Sequence, residues 1–125
     1  MKLRINNNSI RLRLTQPEVE MIGNGMAVEE SLFLHKASGE SFRYRLEPCN
    51  QSATIAASYS DNQLLVKVPK LDAQSWASTE QVSLRHIQDV GSENASIILI
   101  EKDFQCLHKR PDEDESHNFP NPLMH

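Results

Sequence analysis

Side chains that could bind anions recur along several predicted strands. Arg11 and Arg13 alternate with apolar residues, and so do Arg43 and Arg45. Alternate side chains of a strand share a face, and the planar guanidinium binds phosphate or carboxylate through two hydrogen bonds. If these strands are neighbours, their cations form an anion site on one sheet face. The residues predicted for this site are Arg4, Arg11, Arg13, Arg43, Arg45 and Lys67, with Lys2 beside them.

A plainer interpretation of the same pattern is a solvated outer face. Alternating charge is what an exposed antiparallel strand ordinarily shows. Glu29, Glu30, Glu40 and Glu47 could balance the cations through cross-strand pairs, which contribute about 0.2–1 kcal/mol each. The pattern favours this interpretation, and the anion site is the sharper alternative.

Residue types that bind metals gather near the carboxyl end. Cys106 and His108 form a Cys-x-His pair, His117 follows, and Cys49 could approach through folding. Zinc accepts such ligands in a tetrahedral set, but there is no C-x-x-C and the spacing matches no standard finger. A lone cysteine near a strand end is more often a small apolar filler. We therefore expect no cofactor and keep zinc binding as an alternative.

Signatures of catalysis are weak. Cys106 could pair with a histidine, but no local motif marks a nucleophile. The Gly23-x-Gly25 pair lies at a helix end, not between a strand and a helix as in a phosphate loop. The leading hypothesis is a non-enzymatic module that binds a small anion or a protein partner. The alternative is an enzyme acting on a phosphorylated small molecule, with a deep pocket in which arginines clamp phosphate and Glu101 acts as base or metal ligand.

The charge distribution narrows the class of partner. The formal net charge is −4, and residues 101–125 hold six acidic and three basic side chains against eleven and ten in residues 1–100. Because nucleic-acid binding needs a basic surplus, we expect no nucleic-acid partner. The charged start shows no signal peptide, and no apolar run approaches a membrane span. We expect a cytoplasmic protein without a disulfide, and the sequence does not indicate its oligomeric state.

The pattern of hydrophobic residues predicts an α+β fold. It takes the form of a mostly antiparallel β-sheet or partly open barrel of six to eight strands with two short helices. A capping box from Thr15 to Glu18 begins the first helix, and Asp72 is a candidate N-cap for the second. No internal repeat is apparent. The predicted strands are 2–5, 9–14, 28–35, 41–47, 54–58, 63–68, 81–87 and 96–101, and the predicted helices are 15–22 and 71–77.

We predict one α+β domain over residues 1–105 and an acidic, proline-containing tail over residues 106–125. Part of the tail, Cys106 to Arg110 and Phe119, is expected to pack on the domain. The acidic run Asp112–Glu115 could fold back on the arginines and occlude or neutralise an anion site.

Both ends of the chain resemble a family of short uncharacterised bacterial proteins. The resemblance rests on Met1–Ile5 with Asn8–Leu14, and on Glu101–Phe104 with Cys106-Leu107 and Phe119–Pro122. Together with Arg110 and Glu113-Asp114, these motifs cover about a quarter of the chain, in the expected order and at the expected length. The family has no assigned activity, so the resemblance implies a cytoplasmic protein and no catalytic residues.

Overall fold

The computed structural model describes residues 1–34, 40–104 and 117–120. Within these residues, two helices accompany eight strands in two four-stranded sheets. The predicted α+β class is confirmed, and the sheets are not closed into a barrel. The elements are β1 (Lys2–Asn6), β2 (Ser9–Leu14), α1 (Gln16–Gly23), β3 (Val28–Leu32), β4 (Phe42–Cys49), β5 (Ala56–Ser60), β6 (Gln63–Pro69), α2 (Lys70–Ser78), β7 (Ser83–Gln88) and β8 (Ser96–Lys102).

The polar runs Asn6–Asn8 and Ser60–Asn62 predict two tight hairpins, and both form. Asn7 turns the chain between β1 and β2 with a φ of 52°, and Asp61 and Asn62 turn it between β5 and β6 with φ of 51° and 61°. Asn and Asp tolerate this left-handed conformation better than most residues because their short polar side chains bond locally. The turn chemistry therefore sets the register of both hairpins.

Each sheet consists of two antiparallel hairpins joined by a parallel pair of central strands. Sheet A has the order β1-β2-β8-β7, and sheet B has the order β3-β4-β6-β5. The parallel pairs are β2 with β8 and β4 with β6. Residues 96–101 are apolar on both faces, a pattern that predicts a central strand, and β8 is central in sheet A.

The order of elements repeats a β-β-α-β-β unit, although the sequence shows no repeat. The first half runs from β1 to β4 and the second from β5 to β8. Each sheet takes one hairpin from each half, and the registers correspond: Arg13 lies opposite Glu101, and Lys67 lies opposite Glu47. The repeat is hidden in the sequence because the two halves share the apolar character of inner positions more than residue identity.

The core lies between the inner faces of the sheets and the helices. Trp76 of α2 and Ile22 of α1 are fully buried, and the indole N–H donates to the carbonyl of Val82 at 3.0 Å. Gly23 brings the helices close, since a Cβ at this position would lie 2.6 Å from the Cβ of Ala77. The other buried apolar residues are Leu12, Leu14, Val19, Val28, Leu46, Ile55, Val66, Val68, Ala73, Ile98 and Ile100.

The two helices begin differently. At α1, the Glu18 carboxylate accepts a hydrogen bond from the Thr15 amide at 3.0 Å, as the predicted capping box implies. It accepts a second from the Thr15 hydroxyl, also at 3.0 Å. The prediction that Asp72 caps α2 is wrong. Pro69 is the last residue of β6 and the N-cap of α2, so Asp72 lies inside the first turn. Strand β6 passes into α2 without a loop. The proline ring of Pro69 fixes φ at −55°, near the helical value, while ψ is still extended at 134°.

Residues 117–120 lie against the end of β8. The Phe119 amide donates to the carbonyl of Asp103 at 2.7 Å, and the Phe119 ring lies 5.5 Å from that of Phe104. The Gln16 amide donates to the carbonyl of His117 at 2.9 Å. The expected packing of Cys106 to Arg110 and the fold-back of Asp112–Glu115 fall outside the described residues, and the boundary after residue 105 stays a prediction.

Candidate anion-binding face

The outer face of sheet A carries a dense group of cations, which we call the cationic face. In β2, Leu12 and Leu14 are buried, so the intervening side chains point away from the core. Cross-strand pairing extends this outer face to the neighbouring strands. The cationic face comprises Lys2, Arg4, Arg11, Arg13 and Arg85, with Glu101 on the same face.

Like charges stand directly opposite each other on this face. Lys2 pairs with Arg13, and Arg4 pairs with Arg11. Directly opposed like charges destabilise a sheet by roughly the amount that opposite charges contribute, about 0.2–1 kcal/mol per pair. Two such pairs in one hairpin oppose its stability, and the fold does not require them.

Glu101 of β8 partly compensates the repulsion. Its Oε1 lies 2.9 Å from Nε of Arg13 and 3.3 Å from Nε of Arg11. Lys2 Nζ lies 3.2 Å from Oδ2 of Asp103, a carboxylate with a side chain only 7% exposed. These contacts hold one edge of the cationic face in place.

Arg4 and Arg85 lie toward the two sides of the face and are exposed. Neither makes an ion pair with any residue in the ranges that the structure describes. Arg85 was absent from the predicted site, although its alternation with Leu84 and His86 in a predicted strand is the signal that would have found it. It lies across Leu99 from Arg11 and so belongs to the same row.

The expectation that all predicted cations share one surface is wrong. Arg43, Arg45 and Lys67 lie on sheet B, whereas Arg4, Arg11 and Arg13 lie on sheet A. The reason is topological: β4 pairs with β3 and β6, and β2 pairs with β1 and β8. Alternation showed which side of each strand is polar, but it carries no information on which strands are neighbours.

Arg43 and Arg45 of sheet B have local partners. Arg45 lies 3.9 Å from Glu29 and 3.5 Å from Glu47, measured to the Oε1 atoms. Arg43 donates to the carbonyl of Asp61 at 2.8 Å. These contacts fit the plainer interpretation, in which cross-strand pairs neutralise an exposed face.

The predicted zinc ligands are only partly within the described residues. Cys106 and His108 lie outside them, and no group of three metal-ligating side chains occurs among the residues that are placed. Cys49 is a half-buried free thiol at the end of β4, and His117 lies beside the start of α1. Zinc binding stays a prediction.

A partly buried cluster of charges lies at the amino end. The Met1 amine contacts Glu18 at 2.5 Å and Glu30 at 2.9 Å, and the Tyr44 hydroxyl donates to the Met1 carbonyl at 3.1 Å. Burial alone would lower the pKa of the amine, but the two carboxylates outweigh it and raise the pKa above 8.0. Burial likewise works against the Glu18 carboxylate, but hydrogen bonds from the amine and Thr15 lower its pKa below 4.5. Burial, then the charges of Glu30 and Glu18, raises the pKa of Tyr44.

Lys102 is a second feature that sequence reasoning missed. It is only 7% exposed at the end of β8, and its Nζ donates to the Thr79 carbonyl at 2.7 Å. The ammonium lies 5.3 Å from the centre of the Phe119 ring. Burial lowers its pKa, against an opposing effect of the Glu80 charge. The sequence carries no local signal of this burial, because the neighbouring wall comes from a distant segment.

Comparison with known protein families gives a match over most of the chain. The model of the Family of unknown function (DUF7009) matches residues 1–123. No curated protein and no solved structure matches the chain. Neither helix has the length and apolar character that crossing a membrane requires, within the part of the chain that is described.

Proposed function

The chain belongs to the DUF7009 family, and because the function of that family is unknown, we propose one from the surface of the molecule. The proposed function is that of a non-enzymatic cytoplasmic module whose cationic face binds anionic groups. The proposed partner is an acidic segment of another protein. The observation that supports this is the presence of two directly opposed cation pairs on one exposed sheet face.

The excess of cations on this face is what a partner would neutralise. The cationic face has five basic side chains and, on the same strands and face, the carboxylate of Glu101. Clustered like charge raises the local potential and speeds the encounter with an oppositely charged surface. Because Arg4 and Arg85 have no carboxylate partner among the placed residues, their guanidiniums are available to an incoming anion.

The extent of the face favours a protein segment over a small free anion. Arg4 and Arg85 lie on strands three positions apart, which corresponds to ~14 Å at the usual strand spacing. A single phosphate cannot contact both. Ile97 and Leu99 lie on the same face of β8, and Ile97 is 38% exposed. Arginines beside apolar side chains are typical of protein interfaces.

No specific observation favours the enzyme alternative. It required a deep pocket that contains both arginine and glutamate. The three described cavities are lined by no arginine, and the arginines of the cationic face lie on an open sheet surface.

The experiment measures binding of a glutamate-rich peptide by fluorescence anisotropy at low salt, with the R4Q/R85Q double variant. These arginines make no ion pair with a placed residue, so their loss leaves the fold intact. We expect the dissociation constant to rise about tenfold or more, since each charge-assisted hydrogen bond is worth ~1.5–3 kcal/mol. Added salt should weaken wild-type binding steeply.

The matched control is R43Q/R45Q, which removes two arginines from sheet B and should leave the affinity within about twofold of wild type. Equal weakening by both double variants would mean nonspecific attraction and would contradict the proposal. Inorganic phosphate is tested in a separate arm. If phosphate binds more tightly than the peptide, the partner is a small anion and the protein-segment proposal is wrong.

A further inference from the structure

Lys102 is a buried charge with no counterion among the residues that the structure describes. Its residue is 7% exposed, and no carboxylate among the placed residues lies within ion-pair distance of its ammonium. Lysine is rarely buried this deeply unless it is paired, because an unpaired buried charge costs several kcal/mol. The position therefore needs an explanation beyond packing.

Part of the explanation is structural. The ammonium donates to the carbonyl of Thr79, the C-cap residue of α2, where a cation is favoured by the helix dipole and by the free carbonyls. The Phe119 ring adds a cation–π contact at 5.3 Å. These contacts satisfy one of the three N–H donors of an ammonium group through a hydrogen bond, and they supply no full negative charge.

The same side chain lines a cavity of about 490 Å³. Its walls are largely apolar and include Val82, Phe104, Phe119 and Pro120. Glu80 lines the cavity as well without forming an ion pair with Lys102. The volume lies within the range of ~300–1,000 Å³ that holds small molecules.

We propose that this cavity binds a small carboxylic acid with an apolar or aromatic body. The carboxylate accepts hydrogen bonds from the Lys102 ammonium, and the body packs on Phe104, Phe119 and Val82. The lining of the cavity indicates this class of ligand. The Lys102 ammonium can orient one anionic group, and the apolar and aromatic side chains of the wall can pack on a hydrophobic body. This is a separate site from the cationic face, which lies on exposed strand positions.

The size of the cavity sets the class of probe. Benzoate and hexanoate carry a single carboxylate on a body of a few carbons, and benzamide and hexanol are neutral compounds of matched size. For ligands this small we expect a dissociation constant of about 1 mM for the carboxylates. The neutral compounds lose the charge-assisted bond and should bind roughly ten- to a hundredfold more weakly.

The experiment is an amide NMR titration of the full chain with each of the four probes. For benzoate and hexanoate we expect saturable shifts at Val82, Lys102 and Phe104. The K102M variant keeps the length and apolar stem of the side chain and should abolish the preference for carboxylates. E80Q removes the opposing charge from the cavity wall and should tighten benzoate binding about two- to fivefold.

The R4Q/R85Q variant separates the two sites. It should leave benzoate binding unchanged, so failure at this cavity and failure at the cationic face are distinguishable. The inference is overturned if neither carboxylate gives saturable shifts below about 10 mM, or if benzamide binds as well as benzoate to wild type. Both outcomes are read on the wild-type protein, so they hold even if K102M does not fold.

Discussion

The outer faces of the two sheets occupy equivalent places in a repeated architecture, yet they carry different charge. Arg13 and Glu101 correspond to Lys67 and Glu47, so a basic residue stands opposite a glutamate at the same register position of both sheets. The surrounding positions differ. On sheet A, Arg4, Arg11 and Arg85 stand where sheet B has Ser58, Leu65 and Glu29.

The difference separates what the fold needs from what it tolerates. Inner positions are apolar in both halves: Leu12 and Leu14 correspond to Val66 and Val68, and all four are buried. On sheet B, Arg43 and Arg45 have local partners, whereas Arg4 and Arg85 of sheet A have no carboxylate partner among the described residues. Since sheet B forms the same arrangement of strands without directly opposed cations, the opposed cations of sheet A are a candidate for function rather than for folding.

The contact between Gly23 and Ala77 tests whether the halves are equivalent at the helix interface. A Cβ at position 23 would lie 2.6 Å from Cβ of Ala77, so G23A should lower the free energy of unfolding by about 1–3 kcal/mol through overpacking. The G23A/A77G exchange places the methyl on the other helix and should recover most of that loss. Urea unfolding of both single variants and the double variant measures the coupling.

If the double variant is no more stable than G23A, the helices do not pack equivalently. A77G alone is the control, because it removes a methyl from a helix and should cost about 1 kcal/mol.

The starts of the helices offer a second contrast. E18Q should lower the free energy of unfolding by about 1–2 kcal/mol near neutral pH, because Glu18 accepts from the Thr15 amide in the capping box of α1 and pairs with the Met1 amine. D72N, inside the first turn of α2, should cost about 0.3–1 kcal/mol. Chemical unfolding at several pH values measures both.

The pH dependence follows from the lowered pKa of Glu18. The carboxylate contributes stability above its ordinary pKa of 4.5, and that stability is lost as the pH falls through the lower pKa of the folded state. The gap between wild type and E18Q should therefore close on acidification below 4.5. A gap that stays constant down to the acid transition would contradict the assignment.

The smallest expected effect is on the free energy of unfolding when one arginine is replaced, and it has opposite signs on the two sheets. R4Q removes a cation opposite Arg11 and should raise the free energy of unfolding by about 0.2–1 kcal/mol at low salt. R45Q removes the partner of Glu29 and Glu47 and should lower it by a similar amount. Concentrated salt should flatten both differences. If R4Q is destabilising, the cationic face contributes to stability and the contrast between the sheets fails.

Local signals predicted most of the elements but not their arrangement. Strict alternation and Asn-rich turns were enough for the hairpins, and an apolar run placed β8 at the centre of its sheet. The parallel pairing of β2 with β8 joins distant parts of the chain, and no local signal encodes it. The start of α2 was misplaced because Asp72 is a good N-cap by residue type. The helix in fact begins three residues earlier, with Pro69 as its N-cap.

The candidate site was predictable to the same extent. Arg4, Arg11 and Arg13 were identified from alternation, but strand order decides that Arg85 joins them and that Arg43 and Arg45 do not. Lys102 was missed because its contacts are with Thr79 and Phe119, which lie in distant segments of the sequence. Both misses concern contacts between distant segments.

The exchange of hairpins between the halves has a consequence for how the chain folds. The Arg13–Glu101 contact joins residues 88 positions apart, so nearly the whole chain must be synthesised before sheet A can be completed. Such nonlocal pairing gives slow folding, on the order of milliseconds to seconds. Each central strand pairs on one side with a strand of the other half of the chain. Two copies that meet before folding is complete could therefore complete each other's sheets by exchanging halves, which is domain swapping.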